Sequence, residues 1–174
     1  MADWSFLYGD GVGKPRGMHS VSTQVTRSGA NAFAAADAQG MVEKLLPSSW
    51  ANAVWAIHPS VMVKVTALTN WQPGENASPD PDQADGSLHG LPMFITDKLP
   101  ALGTTGDVLL FDPTLYSVGD RGVLIDASAE TALFRNNQTV FRIVARVAGA
   151  PWLSGSVTLA DGTKTAGAYV SLTT

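Results

Sequence analysis

Four groups of residues in this chain have types that chemistry uses, and each falls short at a specific position. The run GDGVGKP at 9–15 invites a phosphate-binding loop. A Walker loop needs a glycine five residues before the Gly-Lys pair and Ser or Thr after it, but here Tyr8 precedes and Pro15 follows. The dinucleotide pattern fails as well, because its third glycine would fall at Lys14 and no strand precedes it. The residues Gly9, Gly11, Gly13, Pro15 and Gly17 therefore read as a structural turn. Asp80, Asp82 and Asp85 ahead of Gly86 resemble a calcium loop, but the third ligand position holds Ala84 and no Glu follows at the required distance. His19, His58 and His89 stand far apart with no metal-ligand spacing, and Ser154 lacks the preceding glycine of a nucleophile elbow. His58, at the junction of a strand and a helix, reads as a cap or packing residue. The fourth group is arginine. Arg142 and Arg146 share one face of an alternating strand, with Arg121 and Arg135 nearby in sequence. They fit either a solvated sheet face or an inter-subunit ion-pair surface, since the guanidinium fork suits interface carboxylates. No pattern implies a cofactor, a metal or a small-molecule substrate.

The elements that would position these residues are legible in outline. The 174 residues are 45% hydrophobic and 15% charged, with a net charge of −4 and no cysteine. That composition is of a folded domain with a real core, without a disulfide framework and without the basic stripe of a nucleic-acid binder. No apolar run approaches the ~20 residues that span a bilayer, and the chain reads as soluble and made inside the cell. Trp4, Phe6, Leu7 and Tyr8 form an apolar start that must dock elsewhere in the fold. Met18 to Thr26 reads as a strand. Asp37 is an expected N-cap for a helix carrying Met41, Val42, Leu45 and Leu46, stopped by Pro47. Residues 53–57 form a continuously apolar strand, and His58-Pro59-Ser60 leads into a second helix with Val61, Val65 and Leu68 on one face. Residues 70–90 are an exposed loop or extended hairpin. Strands follow at 91–96, 107–111 and 115–118, then a turn at Gly119, Asp120 and Arg121. From Thr139 a strict period-2 pattern runs through Phe141, Ile143, Ala145 and Val147. The fold class is α+β, with a compact sheet-and-helix part and an elongated antiparallel part.

Four landmarks in order carry a family resemblance: GDGVGKPRGM at 9–18, AVWAIHPSVMVKVTAL at 53–68, GLPMFITDKLPALGTTGDVLLFD at 90–112, and LYSVGDRGVLIDASAETALFRNNQTVFRIVARVAG at 115–149. Together they resemble the glycine-proline turn, the strand-turn-helix, the paired strands and the long peripheral strands of tailed-bacteriophage major capsid proteins of the HK97-type fold. The resemblance runs from about Phe6 to Leu159.

It implies an axial lobe of residues 19–118, to which 154–174 return, and a partial peripheral lobe of residues 1–18 and 119–153. Such subunits self-assemble into pentamers and hexamers of an icosahedral shell around double-stranded DNA, contacted only non-specifically and without membrane, cofactor or small-molecule partner. The implied location is the virion capsid, after synthesis in the bacterial host cytoplasm. Arg121, Arg135, Arg142 and Arg146 become candidate inter-subunit contacts. The N-terminal arm, extended loop and most of the spine helix of that family have almost no counterpart ahead of the glycine turn, so a truncated form is expected. The same landmarks are shared by encapsulin-like compartment shells. A reading from another class is a small enzyme or ligand-binding domain built around His58.

Overall fold

The computed structural model describes residues 2–74, 86–128 and 139–174. Its centre is a seven-stranded mixed sheet, and the reason lies in three short apolar strands: β2 (Val54–Ile57), β6 (Val108–Phe111) and β11 (Tyr169–Thr173). Side chains alternate between sheet faces, so a strand buried on both faces is mostly apolar, and the buried Ser171 of β11 shares a hydrogen bond with the Ser22 hydroxyl at 2.7 Å. Trp55, Ile57, Val108, Leu110, Val170 and Leu172 pack to one face, against Ala38 and Met41 of helix α2 (Ala35–Glu43) and Val61 and Val65 around helix α3 (Met62–Val65). Ala56, Leu109 and Tyr169 point to the other face, with Met18, Val21 and Leu99. There they are partly covered by Leu7 and Tyr8 of helix α1 (Ala2–Tyr8).

Around these three, β1 (Thr23–Thr26), β3 (Trp71–Pro73), β4 (Gly86–Leu88) and β5 (Leu91–Ile95) complete the order β1-β11-β6-β2-β5-β4-β3. The pairs β1/β11 and β2/β5 are parallel, and the other neighbours antiparallel. Outside this sheet lie a long hairpin, β7 (Tyr116–Ser128) with β8 (Val140–Pro151), and a small one, β9 (Val157–Thr158) with β10 (Thr165–Ala166).

Several expectations are corrected. Met18–Val21 is a 3-10 turn, and only Thr23–Thr26 is strand. The hydroxyls of Ser20 and Ser22 donate to the carbonyls of Gly17 and His19, three residues back, which stabilises a tight turn instead. Asp37 is not the N-cap but the third helical residue. Its carboxylate reaches back to the Ala34 amide (2.8 Å) and accepts from the Ser28 amide and hydroxyl, tying the preceding loop to the helix. The helix ends at Glu43, and Pro47 opens a separate 3-10 turn, Pro47–Ser49. The second helix shrinks to one turn after a 3-10 turn at Pro59–Val61, capped by His58, whose Nδ1 accepts from the Ser60 amide at 3.1 Å. Trp71–Pro73 and Gly86–Leu88 pair as a hairpin, while Asp80, Asp82 and Asp85 lie outside the described residues.

A buried ion pair fastens the strand ends. Arg27, just beyond β1, donates through one nitrogen to both carboxylate oxygens of Asp107 at 2.6 Å, just before β6. Its other terminal nitrogen donates to the Ala32 carbonyl, and Asp107 also accepts from the Gly103 amide at 2.9 Å.

Candidate assembly surface

Among the described residues the long pair β7 and β8 is exposed over most of its length, and its sequence pattern explains why it has two unlike faces. Directly opposed residues of an antiparallel pair share a face. Val123 opposes Ala145, Ile125 opposes Ile143, and Ala127 opposes Phe141, so one face is aliphatic and aromatic. Ile125, Phe141 and Ile143 are 64%, 65% and 68% exposed, although residues of these types usually lie inside a core. On the other face Leu124 opposes Val144 and Asp126 opposes Arg142. Arg142 donates to Asp126 at 2.9 Å across the strands. Arg121, Arg142 and Arg146 line one shallow cleft of about 360 Å³ together with Gly122, Val123, Leu124 and Val144 around the bulge.

The expected turn at Gly119, Asp120 and Arg121 is instead a bulge inside the continuous strand β7. Asp120 opposes Val147 and Val123 opposes Ala145, so Arg121 and Gly122 together face the single residue Arg146. Gly122 takes the positive φ (75°), and its amide donates to the Asp120 carboxylate at 2.8 Å. Gly119 has ordinary surroundings. A bulge bends and twists its strand, and here it brings Arg121 to the cleft of Arg142 and Arg146. The bulge was not legible because Gly-Asp reads equally as a chain reversal. Arg135 lies outside the described residues.

The glycine turn supports the base of this hairpin. Gly17 donates its amide to the Gly9 carbonyl (2.8 Å), and Asp10 bridges Arg16, closing the loop. A β-carbon at Gly9 would collide with the Pro15 and Ser5 carbonyl oxygens. One at Gly17 would lie 2.5–2.6 Å from backbone atoms of Gly9, Leu7 and Tyr8. Gly11 and Gly13 carry φ values of 81° and 67°. The loop then grips the hairpin: the Arg16 amide donates to the Gly149 carbonyl and the Tyr116 hydroxyl to the Arg16 carbonyl, both at 2.8 Å. Phe6 meets the Tyr116 ring edge-on at 5.8 Å. The apolar start of the chain docks here through Phe6, Leu7 and Tyr8, while Trp4 stays 45% exposed under the Lys14 ammonium. This anchoring role of Tyr116 and Gly149 was not visible in sequence, where Gly149 is one small residue in a strand pattern.

Chemically reactive groupings are sparse. Among the described residues no group of three or more His, Asp or Glu could hold a metal ion. The cleft beside Arg27, about 210 Å³, is lined by Gly29, Ala30, Asn31, Gly103 and Thr174, and the Arg27 guanidinium is already committed to Asp107.

A family model described as the phage capsid family matches residues 2–161. Two solved structures share the fold. The capsid of an empty GTA particle, with C5 symmetry, superposes with a TM-score of 0.67 at 18% identity, over 98% of this chain and 60% of that one. The capsid of a native GTA particle gives 0.67 at 17% identity, over 98% and 65%. The chain thus spans less than two thirds of the length of either. No curated protein matches in sequence.

Proposed function

This chain belongs to the phage capsid family, and from that premise we propose how a structural shell protein with this surface works. The carrying observation is the hairpin β7–β8, which offers an aliphatic-aromatic face and an arginine face to solvent. An isolated two-stranded hairpin is marginal in water, so both faces gain from a partner. In a shell that partner is another copy. Burial of Ile125, Phe141 and Ile143 would supply roughly 1–2 kcal/mol each, and Arg121, Arg142 and Arg146 would fix register by pairing with carboxylates. Closed symmetry repeats each small term around a ring, so modest contacts add up.

The finer reading has subunits forming pentamers and hexamers of an icosahedral shell that encloses double-stranded DNA, touched only non-specifically, after synthesis in the host cytoplasm. It divides the chain into an axial lobe, 19–118 with 154–174, and a peripheral lobe, 1–18 with 119–153. That division is supported by the hairpin's separation from the seven-stranded sheet. No catalytic step is assigned.

The test is charge reversal on the arginine face. Arg142→Glu with Arg146→Glu breaks the exposed Arg142–Asp126 pair, so it should lower the melting temperature of the subunit only slightly, and it should raise the concentration needed for assembly about tenfold or more, one lost 1.4 kcal/mol contact per subunit sufficing. Assembly at an unchanged concentration would remove these arginines from the interface.

A further inference from the structure

One of the contacts that hold helix α1 is an aromatic pair with the Met18–Val21 turn, and that pair includes a histidine with an unused buried nitrogen. The Tyr8 ring lies 4.8 Å from the His19 ring, tilted by 41°, and the Tyr8 hydroxyl donates to the Gly106 carbonyl at 2.6 Å. His19 Nδ1 is buried and has no hydrogen-bond partner among the described residues. It faces Gly106, where even a β-carbon would lie within 3.2 Å of it and would strike the Tyr8 hydroxyl. A neutral imidazole tolerates this placement, carrying its proton on Nε2 and leaving a bare lone pair at Nδ1. Protonation would place an N–H against a methylene with nothing to accept it, and a charge in a site without a free counter-ion.

The surrounding groups supply no relief. From α1 comes Tyr8, whose hydroxyl is spent on Gly106. From the β6 side comes Asp107, whose two oxygens are held by Arg27. Tyr169 of β11, in the same cluster, donates to the Leu115 carbonyl, and Arg16 reaches Ser20 on the histidine's own turn.

We propose that the His19–Tyr8 contact is an acid-sensitive latch, closed on α1 when His19 is neutral and opened when it is protonated. Opening frees Tyr8 and, through Phe6 and the glycine turn, loosens the grip on the base of the hairpin. Burial holds the His19 titration below the ordinary histidine value of 6.5. The opened state therefore binds the proton more readily than the closed one. The latch is at full strength above about pH 6.5 and weakens as pH falls below it.

The experiment is a histidine-resolved NMR titration of the full chain, run with hydrogen exchange at the Gly9 and Gly17 amides, which close the latch region. Between about pH 7.5 and about pH 5, protection of these amides, corrected for intrinsic exchange, should be lost progressively relative to β2 and β6. The fall should begin near the open-state value of about 6.5 and level off at the His19 midpoint of the intact chain. His19→Phe keeps the ring and removes the nitrogen, so it should abolish the pH dependence. Should that variant not fold, the wild-type profiles decide alone: a fall confined between about pH 6.5 and the His19 midpoint supports the latch, and a fall outside that interval overturns it. Protection that stays constant while His19 titrates, or a pH profile that survives in a folded His19→Phe, overturns it too.

Discussion

Single residues in this chain matter mainly through what surrounds them, and Asp107 is the clearest case. It holds Arg27 through two 2.6 Å contacts with both side chains buried. Asp107→Asn leaves a buried guanidinium without its counter-charge, which should cost about 3–5 kcal/mol in denaturant unfolding. The double replacement Arg27→Met, Asp107→Leu should recover part of that loss, since the desolvation penalty disappears with the charges. A small effect of Asp107→Asn alone would mean that water reaches the pair. The glycine turn separates two reasons for glycine. Gly17→Ala forces a β-carbon onto backbone atoms and should cost about 1–3 kcal/mol. Gly13→Ala meets no neighbour and pays only for its φ of 67°, about 1 kcal/mol. Burial also raises the hydroxyls of Tyr8, Tyr116 and Tyr169, the last to about 12 with help from the Asp112 charge. A raised phenol keeps its stabilising share below the unfolded value of about 10 and loses it as pH rises further. Alkaline titration should therefore show tyrosinate absorbance appearing together with loss of circular dichroism, and ionisation of all three tyrosines in a still-folded chain would contradict their burial.

Elements divide between those that advertise themselves locally and those defined by distant partners. The hairpin belongs to both groups, and Ile143→Thr tests it. That change keeps a β-branched residue on an exposed position, so the subunit's stability should move by about 0.5 kcal/mol or less. The concentration needed for assembly should rise severalfold, measured by light scattering; an equal loss of subunit stability would mean the face is already packed within one chain. Much of this architecture was legible. The apolar run at 53–57 and the alternation from Thr139 report burial on two faces and period-2 geometry directly, and the structure places strands at both. The errors have local causes. Met18–Val21 looked like strand because hydroxyls that close a 3-10 turn leave the same residue pattern. Val61, Val65 and Leu68 kept helical spacing although only one α-turn forms, because a 3-10 turn followed by an α-turn aligns them nearly as well. The sheet order was out of reach, since β11 joins β1 and β6 across a long sequence separation that no window of residues records. At the candidate surface the shared face of Arg142 and Arg146 was legible from their spacing, but the delivery of Arg121 by a bulge was not.

At the scale of the whole molecule, the chain is a double-faced sheet with a projecting hairpin that leaves apolar and cationic surface to water. A structural protein of the phage capsid family spends its chemistry on such surfaces rather than on a pocket. The chain carries a net charge of −4 overall and gathers three arginines in one cleft, so the proposed contact between copies is one between unlike charges. That attraction should weaken with added salt, because the Debye length shrinks from about 8 Å at physiological ionic strength to about 3 Å at 1 M. The apolar face should be insensitive, so raised salt ought to reduce the rate of assembly more than its extent. The most direct check of the central claim is negative-stain microscopy of the purified chain across a concentration series, with light scattering on the same samples. The account predicts rings or closed shells that appear above a threshold concentration, and that threshold rises in the Ile143→Thr and Arg142→Glu, Arg146→Glu variants. A chain that stays monomeric at every concentration, or assemblies indifferent to both sets of changes, would contradict it.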